Sequence, residues 1–333
     1  MPAKELPFPP MEAELVRELP AGDGWAYEPK WDGFRGVLEN LEGELALWSR
    51  NGRPLLRYFP ELRPLGDLMP PRSALDGEVV IVREGALDFD AMQMRLHPAE
   101  SRIRKLSAEI PASYVVFDLL LWDGEPFWQL PLEERRAELE RRTSGLRLSP
   151  STRSLDEARG WLDRFESLGL DGVVAKRLGV QYLPGSREGV VKVKEHKSAD
   201  CVVLGIRWKG SRDQVATLLL GLYRSDGELD YVGSCAVAAR SRKEVAARVL
   251  PLVEEDPDWH SSEPNRWGGG GLEEARLRPE LVVEVRYDKV QGNRFRHGTK
   301  LLRWRPDKNP RDCTWRELRP PAAAAGAGVD SLF

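Results

Sequence analysis

The chain has 333 residues, a formal charge of −3, and 41% hydrophobic and 31% charged residues. This length is about right for two domains with real cores, and the composition excludes a wholly disordered protein. The N-terminus lacks an apolar signal-peptide core, and no apolar run is long enough to span a bilayer. We therefore expect a cytoplasmic protein. Cys201, Cys235 and Cys313 lie far apart, which excludes a zinc ribbon and a disulfide framework.

The first part of the chain alternates strand-like and helical segments. Apolar runs bounded by Gly, Asp or Pro predict strands, and helical spacing with charged outer faces predicts helices. Strands are expected at residues 44–50, 74–82, 114–122, 172–177 and 190–194, helices at 131–143 and 155–169, and a weaker helix at 89–106 broken by Pro98. This pattern leaves α/β and α+β architectures open.

From about Ala199 the pattern changes to short strands joined by turns. Strands are expected at 201–208, 215–224, 229–237, 281–287 and 300–305, with one helix at 242–255. This antiparallel meander predicts a small five-stranded barrel such as an OB-fold. The Pro, Ala and Gly residues at 320–328 are typical of a flexible linker. We therefore predict domains at residues 1–198 and 199–319 and a flexible tail at 320–333.

Lysine is the minority basic residue: it accounts for 12 of 50. Four lysines, Lys30, Lys176, Lys192 and Lys194, fall in short strand-like segments, where a purely solvated role is less natural. A primary amine can lose its proton and attack an electrophile, whereas a guanidinium cannot. A nucleophilic lysine is therefore a candidate at one of these positions.

Lys30-Trp31-Asp32-Gly33 is a weak pattern by itself, which a surface turn could supply. An ordered series follows it: Ser49-Arg50-Asn51-Gly52, Asp76-Gly77-Glu78, Phe117-Asp118-Leu119-Leu120, Asp171-Gly172-Val173-Val174-Ala175-Lys176 and Val191-Lys192-Val193-Lys194. With this series the chain resembles the covalent nucleotidyltransferases, and most of all ATP-dependent DNA ligases of the short bacterial two-domain type. The resemblance implies an α+β fold, in which an ATP-grasp-like domain of antiparallel sheets flanked by helices precedes an OB-fold barrel.

By this resemblance Lys30 would attack the α-phosphate of ATP, release pyrophosphate and hold AMP. A lysine amine with an ordinary pKa of about 10.4 is almost wholly protonated at neutral pH, so it needs nearby cations or desolvation. The nearby cations would be Lys192, Lys194 and Mg²⁺ or Mn²⁺. The alternation of Lys192 and Lys194 puts both amines on one face of a strand. The alternative is an exposed edge strand.

The resemblance also implies roles at the nucleotide. Glu28 would read the adenine amino group, and Phe117 would stack on the base, although a core aromatic is the alternative for Phe117. Arg35 and Arg50 are similar to the arginines that contact the nucleotide and the 5′-phosphate of the nick. Glu78 would lie near the ribose and the metal.

Asp171 departs from the family pattern, which more often has glutamate before that glycine. We still expect it to serve as a metal residue, through water if the shorter side chain cannot reach the ion. Lys176, on the same strand, resembles the lysine that approaches the nucleotide. For both residues a surface ion pair is the alternative.

Arg303, Arg305 and Lys308 lie in a segment that resembles the last motif of the family, and they would clamp the departing pyrophosphate. Residues 286–319 contain eleven Lys and Arg against four Asp and Glu. The alternative is a basic strand that contacts phosphates without a catalytic role. Both interpretations predict a salt-dependent nucleic-acid partner.

The chain ends Val329-Asp330-Ser331-Leu332-Phe333, an apolar-tipped peptide on a tether. This ending resembles the short peptides with which bacterial replication proteins dock in the sliding clamp. A disordered tail is the alternative.

We predict an ATP-dependent DNA ligase that seals nicks in duplex DNA. The rivals are an RNA ligase and a GTP-dependent capping guanylyltransferase, which share the nucleophile. A non-enzymatic OB-type binding module would require loss of the motif residues. An NAD-dependent ligase is disfavoured because its cysteine zinc site has no counterpart.

Overall fold

The computed structural model describes residues 9–165, 168–194, 197–254, 256, 259, 261, 273–318 and 328–332. The chain divides into a first domain of residues 1–195 with 320–333, and a second domain of residues 196–319. The division lies three residues before the boundary predicted at 198/199. None of the described helices has the length and apolar character needed to cross a membrane.

The first domain contains twelve strands and four α-helices in the described ranges. Its strands are β1 (Glu14–Leu15), β2 (Trp25–Pro29), β3 (Phe34–Leu41), β4 (Glu44–Ser49), β5 (Ser73–Val80), β6 (Val82–Arg83), β7 (Ala86–Leu87), β8 (Ser113–Trp122), β9 (Glu125–Pro126), β10 (Arg147–Leu148), β11 (Val173–Arg177) and β12 (Val190–Val193). Its helices are α1 (Phe89–Met94), α2 (Glu100–Glu109), α3 (Leu132–Arg142) and α4 (Leu155–Phe165). Pro98 separates α1 from α2, as the sequence predicts.

Two main sheets form the first domain, and β6 and β7 pair as a separate two-stranded hairpin. One has the strand order β1-β12-β11-β2, and the other has the order β10-β8-β5-β3-β4 with β9 paired to β8. The pairings are antiparallel except for the two short parallel pairs β1–β12 and β10–β8. The larger sheet is buried on both faces, because neighbouring residues such as Val115 and Val116 on β8 enter different hydrophobic clusters. The α+β expectation is confirmed.

One buried carboxyl group in the larger sheet makes stability depend on pH. Glu39 on β3 is fully buried, and its Oε2 accepts a hydrogen bond of 2.8 Å from Trp48 Nε1. Burial raises the pKa of Glu39 from 4.5 to about 7 despite that bond. As pH rises between these values the unfolded chain releases the proton and the folded chain keeps it, so the free energy of unfolding falls by up to about 3 kcal/mol.

We expect Glu39→Gln to remove this fall, because an amide does not titrate. Urea unfolding from pH 4.5 to about pH 8 measures it. Glu44→Gln, at an exposed position on β4, is the matched control and keeps the wild-type slope. Equal slopes for Glu39→Gln and the wild type would contradict the assignment.

The second domain is a closed barrel. Its elements are β13 (Lys197–Lys209), β14 (Ser211–Tyr223), β15 (Leu229–Ala236), α5 (Arg242–Val249), β16 (Glu274–Arg276), β17 (Val282–Tyr287), β18 (Val290–Gln291), β19 (Arg294–Phe295) and β20 (Lys300–Trp304). The strand order is β15-β14-β13-β17-β20, and a bridge between Cys235 and Thr299 joins the two ends. Such closure removes the exposed sheet edges. The OB-fold expectation is confirmed.

The barrel interior explains the three cysteines. Cys201, Cys235 and Cys313 are all free thiols buried in one hydrophobic cluster. Burial raises the pKa of Cys313 to about 12, so this thiol stays protonated and acts as a small apolar side chain.

Candidate active site

A cavity of about 410 Å³ opens in the first domain. Eight of the predicted site residues line it: Glu28, Lys30, Arg35, Arg50, Glu78, Phe117, Lys176 and Lys192. They come from β2, β3, β5, β8, β11 and β12 and from the loops after β2 and β4, so sheet pairing rather than sequence proximity assembles them. The N-terminal segment that includes Met11 and Leu15 also lines the cavity, a contribution for which the sequence offered no signal.

Lys30 follows the last residue of β2 and is held by backbone hydrogen bonds. Its N–H donates to Gly172 O at 2.8 Å, and its carbonyl accepts from Asp171 N at 2.9 Å. Gly172 has φ +128°, and a Cβ there would lie 2.1 Å from Val193 O. Only glycine therefore permits this close approach of three chain segments, which explains the Asp171-Gly172 pair of the sequence motif.

Asp171 bridges two lysines. Its Oδ2 lies 2.5 Å from Lys30 Nζ and 2.8 Å from Lys194 Nζ. Burial by itself would raise the pKa of Asp171, but the charges of Lys30 and Lys194 lower it to about 2. The carboxylate therefore stays ionised at neutral pH and orients both amines. Burial and the positive charges of Lys30 and Lys194 lower the pKa of Lys192.

Glu78 lies on β5 against the loop that follows Lys30. Its Oε1 accepts a hydrogen bond of 3.2 Å from Gly33 N. A Cβ on Gly33 would lie 1.9 Å from Val79 O, so glycine is required where this loop touches β5. Burial raises the pKa of Glu78 to about 8, although the charges of Lys30 and Arg35 act in the opposite direction.

A buried hydrogen-bond network positions Arg35. Its Nε and Nη2 donate to the two carboxylate oxygens of Asp76, at 3.1 and 2.6 Å. Tyr182 donates to Asp76 Oδ2 at 2.6 Å and accepts from Met11 N at 3.1 Å. Asp76 was visible in the Asp76-Gly77-Glu78 motif but had no assigned role, and no sequence signal pointed to Tyr182.

Glu28, Lys176 and Phe117 lie together on the wall of the cavity, and Arg35 Cζ also lies 5.3 Å from the centre of the Phe117 ring. Lys176 Nζ lies 2.9 Å from Glu28 Oε2 and donates to Phe117 O at 3.2 Å. The Lys176 ammonium also lies 4.8 Å from the centre of the Phe117 ring. A carboxylate acceptor, an ammonium donor and a half-buried aromatic ring therefore stand together, as recognition of a purine base requires.

Arg303, Arg305 and Lys308 belong to the second domain, where carboxylates hold them. Arg305 Nη1 donates to both oxygens of Asp200 at 2.9 Å, and Lys308 Nζ lies 3.3 Å from Asp200 Oδ2. Arg303 is more exposed, with 65% of its side chain accessible, and it pairs with Glu284. Asp200 was not predicted, because a lone acidic residue at a domain boundary carries no recognisable pattern.

Few side chains in the described ranges are placed to bind a metal ion together. In the described ranges, no group of three or more His, Cys, Asp or Glu residues could hold a metal ion. Mg²⁺ is commonly bound by one or two carboxylates together with substrate phosphates, and Glu78 and Asp171 fit this kind of site. Since Asp171 is already paired with two ammonium groups, Glu78 is the carboxylate with more freedom to serve.

The chain matches two domain models along its length. The model described as ATP dependent DNA ligase domain matches residues 10–194, and the model described as ATP dependent DNA ligase C terminal region matches residues 211–308. The chain belongs to the ATP-dependent DNA ligase family. The prediction of a DNA ligase that uses ATP is thereby confirmed.

This ligase is similar to mycobacterial proteins over nearly their whole length. It is 44% identical to DNA ligase C1 of Mycolicibacterium smegmatis over 95% of this chain and 94% of that protein. It is 40% identical to DNA ligase C of Mycobacterium tuberculosis over the same shares of both chains. A solved structure from work on Lig E DNA ligases covers 89% of this chain with a TM-score of 0.55 and 14% identity, which shows a shared fold.

Proposed function

We propose that this ligase seals 5′-phosphate/3′-hydroxyl nicks in duplex DNA, with Lys30 as the nucleophile. The observation that carries the proposal is the position of Lys30 in the cavity, 2.5 Å from a carboxylate that also binds Lys194. This arrangement aims the side chain of Lys30 and keeps a second cation beside it. Phosphoryl transfer depends on such positioning and on charge stabilisation.

Three transfers make up the reaction. The Lys30 amine, after releasing its proton to solvent, forms a bond to the α-phosphorus of ATP, and pyrophosphate leaves. An oxygen of the 5′-phosphate at the nick then attacks the same phosphorus, and the bond to Lys30 breaks. Finally the 3′-hydroxyl attacks the 5′-phosphate and AMP leaves. Lys192 and Lys194 stabilise the charge on the phosphate during the first two transfers.

Glu78 and Asp171 are the proposed holders of Mg²⁺ or Mn²⁺, together with phosphates of the nucleotide. The ion, when bound, neutralises phosphate charge. Because the pKa of Glu78 is raised to about 8, its carboxyl must lose a proton to bind the cation. Metal binding at Glu78 is therefore favoured as pH rises toward about 8.

We propose that Glu28 and Lys176 select adenine. Adenine offers an amino donor at N6 and an acceptor at N1, while guanine has an acceptor at O6. With Glu28 facing position 6 of the base, its carboxylate accepts from the adenine amino group and repels the O6 acceptor of guanine, and Lys176 holds the carboxylate in place. Phe117 stacks on the base, and Arg35 and Arg50 bind phosphates of the nucleotide and the nick.

Glu28→Gln is expected to lower the ratio of protein labelling from ATP to labelling from GTP by about 10-fold to 100-fold, since a hydrogen bond to a charged group is worth roughly 1.5–3 kcal/mol. The rate at saturating ATP changes less. Glu12→Gln is the control, because Glu12 also lines the cavity but pairs with the exposed Arg187. An unchanged ratio in Glu28→Gln would exclude Glu28 from base selection.

Arg303, Arg305 and Lys308 are the proposed clamp for pyrophosphate. Arg303 is the freest of the three, since its exposed pair with Glu284 is worth little. To take part, Arg305 must exchange Asp200 and Asp307 for phosphate oxygens, and Lys308 must exchange Asp200 and Glu317. Asp200 then acts as their resting counter-ion.

We propose that the protein acts as a cytoplasmic monomer on DNA of the nucleoid. We also propose a contact between Val329-Asp330-Ser331-Leu332-Phe333 and the sliding clamp. Val329 is buried against the first domain, so this contact requires the tail to leave that position first.

The function is tested with α-labelled ATP, GTP or NAD, followed by unlabelled nicked duplex. Label from ATP should appear on the protein in a denaturing gel and pass to the DNA in the chase. Labelling from GTP or NAD in place of ATP would overturn the proposal. Label that stays on the protein in the presence of a nick would overturn its DNA-joining part.

A further inference from the structure

The end of the chain packs on the first domain. The segment Val329–Leu332 forms a 3₁₀ helix, and Val329 is fully buried. Its N–H donates to Gly85 O at 2.8 Å, and Leu332 packs against the same hydrophobic cluster. The sequence predicted a flexible tail at 320–333, whereas the described end of it is held by apolar contacts and a backbone hydrogen bond. Residues 319–327 lie outside the described ranges.

The contact is a close approach of two backbones. Gly85 lies in the turn between β6 and β7 with φ +80°, next to Glu84 with φ 52°. A Cβ on Gly328 would lie 3.2 Å from Gly85 Cα, and a Cβ on Gly85 would lie 3.4 Å from Gly328 Cα. A Cβ on Gly328 would therefore be tighter than ordinary contact, whereas at Gly85 it is the positive φ that favours glycine.

The cluster that receives Val329 also supports the catalytic residues. Among its buried members are Trp31, Leu170 and Val193. Trp31 follows Lys30, Leu170 precedes Asp171, and Val193 lies between Lys192 and Lys194. A gap left by Val329 would remove packing atoms from the cluster behind all four charged groups.

We propose that residues 328–332 are a built-in peptide ligand of the first domain, and that their docking keeps the catalytic lysines and Asp171 in register. Val329 and Leu332 are the apolar anchors, and Gly328 provides the backbone contact. These residues are positioning residues, since they act through the cluster. The kinetic part rests on the proposed function of Lys30, whereas docking itself can be measured without any activity. While docked, Val329 is closed to any external partner.

Supplying the tail in trans tests the proposal. A chain lacking residues 328–333 should bind a fluorescent Gly328-Val329-Asp330-Ser331-Leu332-Phe333 peptide saturably. The full chain should not bind it, because its own tail already occupies the site. The same peptide with Val329→Asp should not bind. The truncated chain and full-length Val329→Asp should self-adenylate several-fold more slowly, and the wild-type peptide should restore the rate of the truncated chain only. Leu41→Asp, at an exposed leucine, should keep the wild-type rate.

Hydrogen exchange in the wild-type chain keeps the test independent of variant folding and of ligase activity. The Val329 amide should exchange at least tenfold more slowly than in the free peptide. Exchange at the free-peptide rate, or equal peptide binding by the full and truncated chains, would overturn docking. If docking holds but the truncated chain adenylates at the wild-type rate, the positioning role fails. If no chain takes label from ATP, the proposed function of Lys30 fails and the docking result stands.

Discussion

Lys30→Ala is expected to take no label from α-labelled ATP, a loss of at least about 10³-fold in self-adenylation. In the proposed mechanism Lys30 is the nucleophile, and the neighbouring Lys192 and Lys194 serve as cations. Alanine leaves Asp171 paired with Lys194, so the surrounding strands retain a counter-ion. Gel autoradiography after incubation with labelled ATP measures the effect.

A nick that already carries AMP on its 5′-phosphate provides the control for this variant. Its sealing needs the 3′-hydroxyl and the cationic site but no amine nucleophile, so Lys30→Ala should still join it. Lys105→Ala, at an exposed helix position, should label as the wild type does. Undiminished labelling of Lys30→Ala would move the nucleophile to another residue.

Asp171→Asn is expected to lower the rate of self-adenylation on the order of 100-fold, as removal of one preorganised polar group from an active site commonly does. The amide keeps the size of the side chain but removes the charge that lies 2.5 Å from Lys30 Nζ and 2.8 Å from Lys194 Nζ. The two ammonium groups then repel each other without a counter-ion. Single-turnover labelling with ATP measures the rate.

Asp171→Glu restores the charge and should recover most of the lost rate. This variant therefore distinguishes the effect of the negative charge from the effect of side-chain shape. Asp156→Asn, at a highly exposed position on α4, is the matched control and should not differ from the wild type. If Asp171→Asn labels at the wild-type rate, the bridge between Lys30 and Lys194 has no part in positioning the nucleophile.

Much of the fold followed from local pattern. The strands expected at 114–122 and 190–194 appear as Ser113–Trp122 and Val190–Val193, because apolar runs bounded by turn residues specify strands without reference to partners. The helix expected at 155–169 ends at Phe165 in its described part. Gly169, which was expected inside this helix, has φ +72°, and a Cβ there would lie 2.6 Å from Leu87 O, so packing against β7 keeps Gly169 itself out of a helix.

The candidate site, like the fold, was predicted in part from the sequence, while the rest became visible only in the structure. The order of the motifs and the family resemblance that they carry singled out Lys30, Lys192 and Lys194. The family resemblance made Asp171 a candidate metal residue, which stays a prediction, and the structure adds its pairing with Lys30 and Lys194. That pairing depends on the register of β2, β11 and β12, which sequence spacing does not encode.

Lys30 therefore illustrates what the sequence by itself determined: a candidate nucleophile, the motifs around it and the glycines that allow close backbone contact. Tertiary structure alone decided its partners. Asp171 lies 141 residues away along the chain, Tyr182 reaches Arg35 through Asp76, and Val329 completes the cluster behind them. Local propensity and periodicity act within one segment, whereas these contacts arise only when distant segments are packed together.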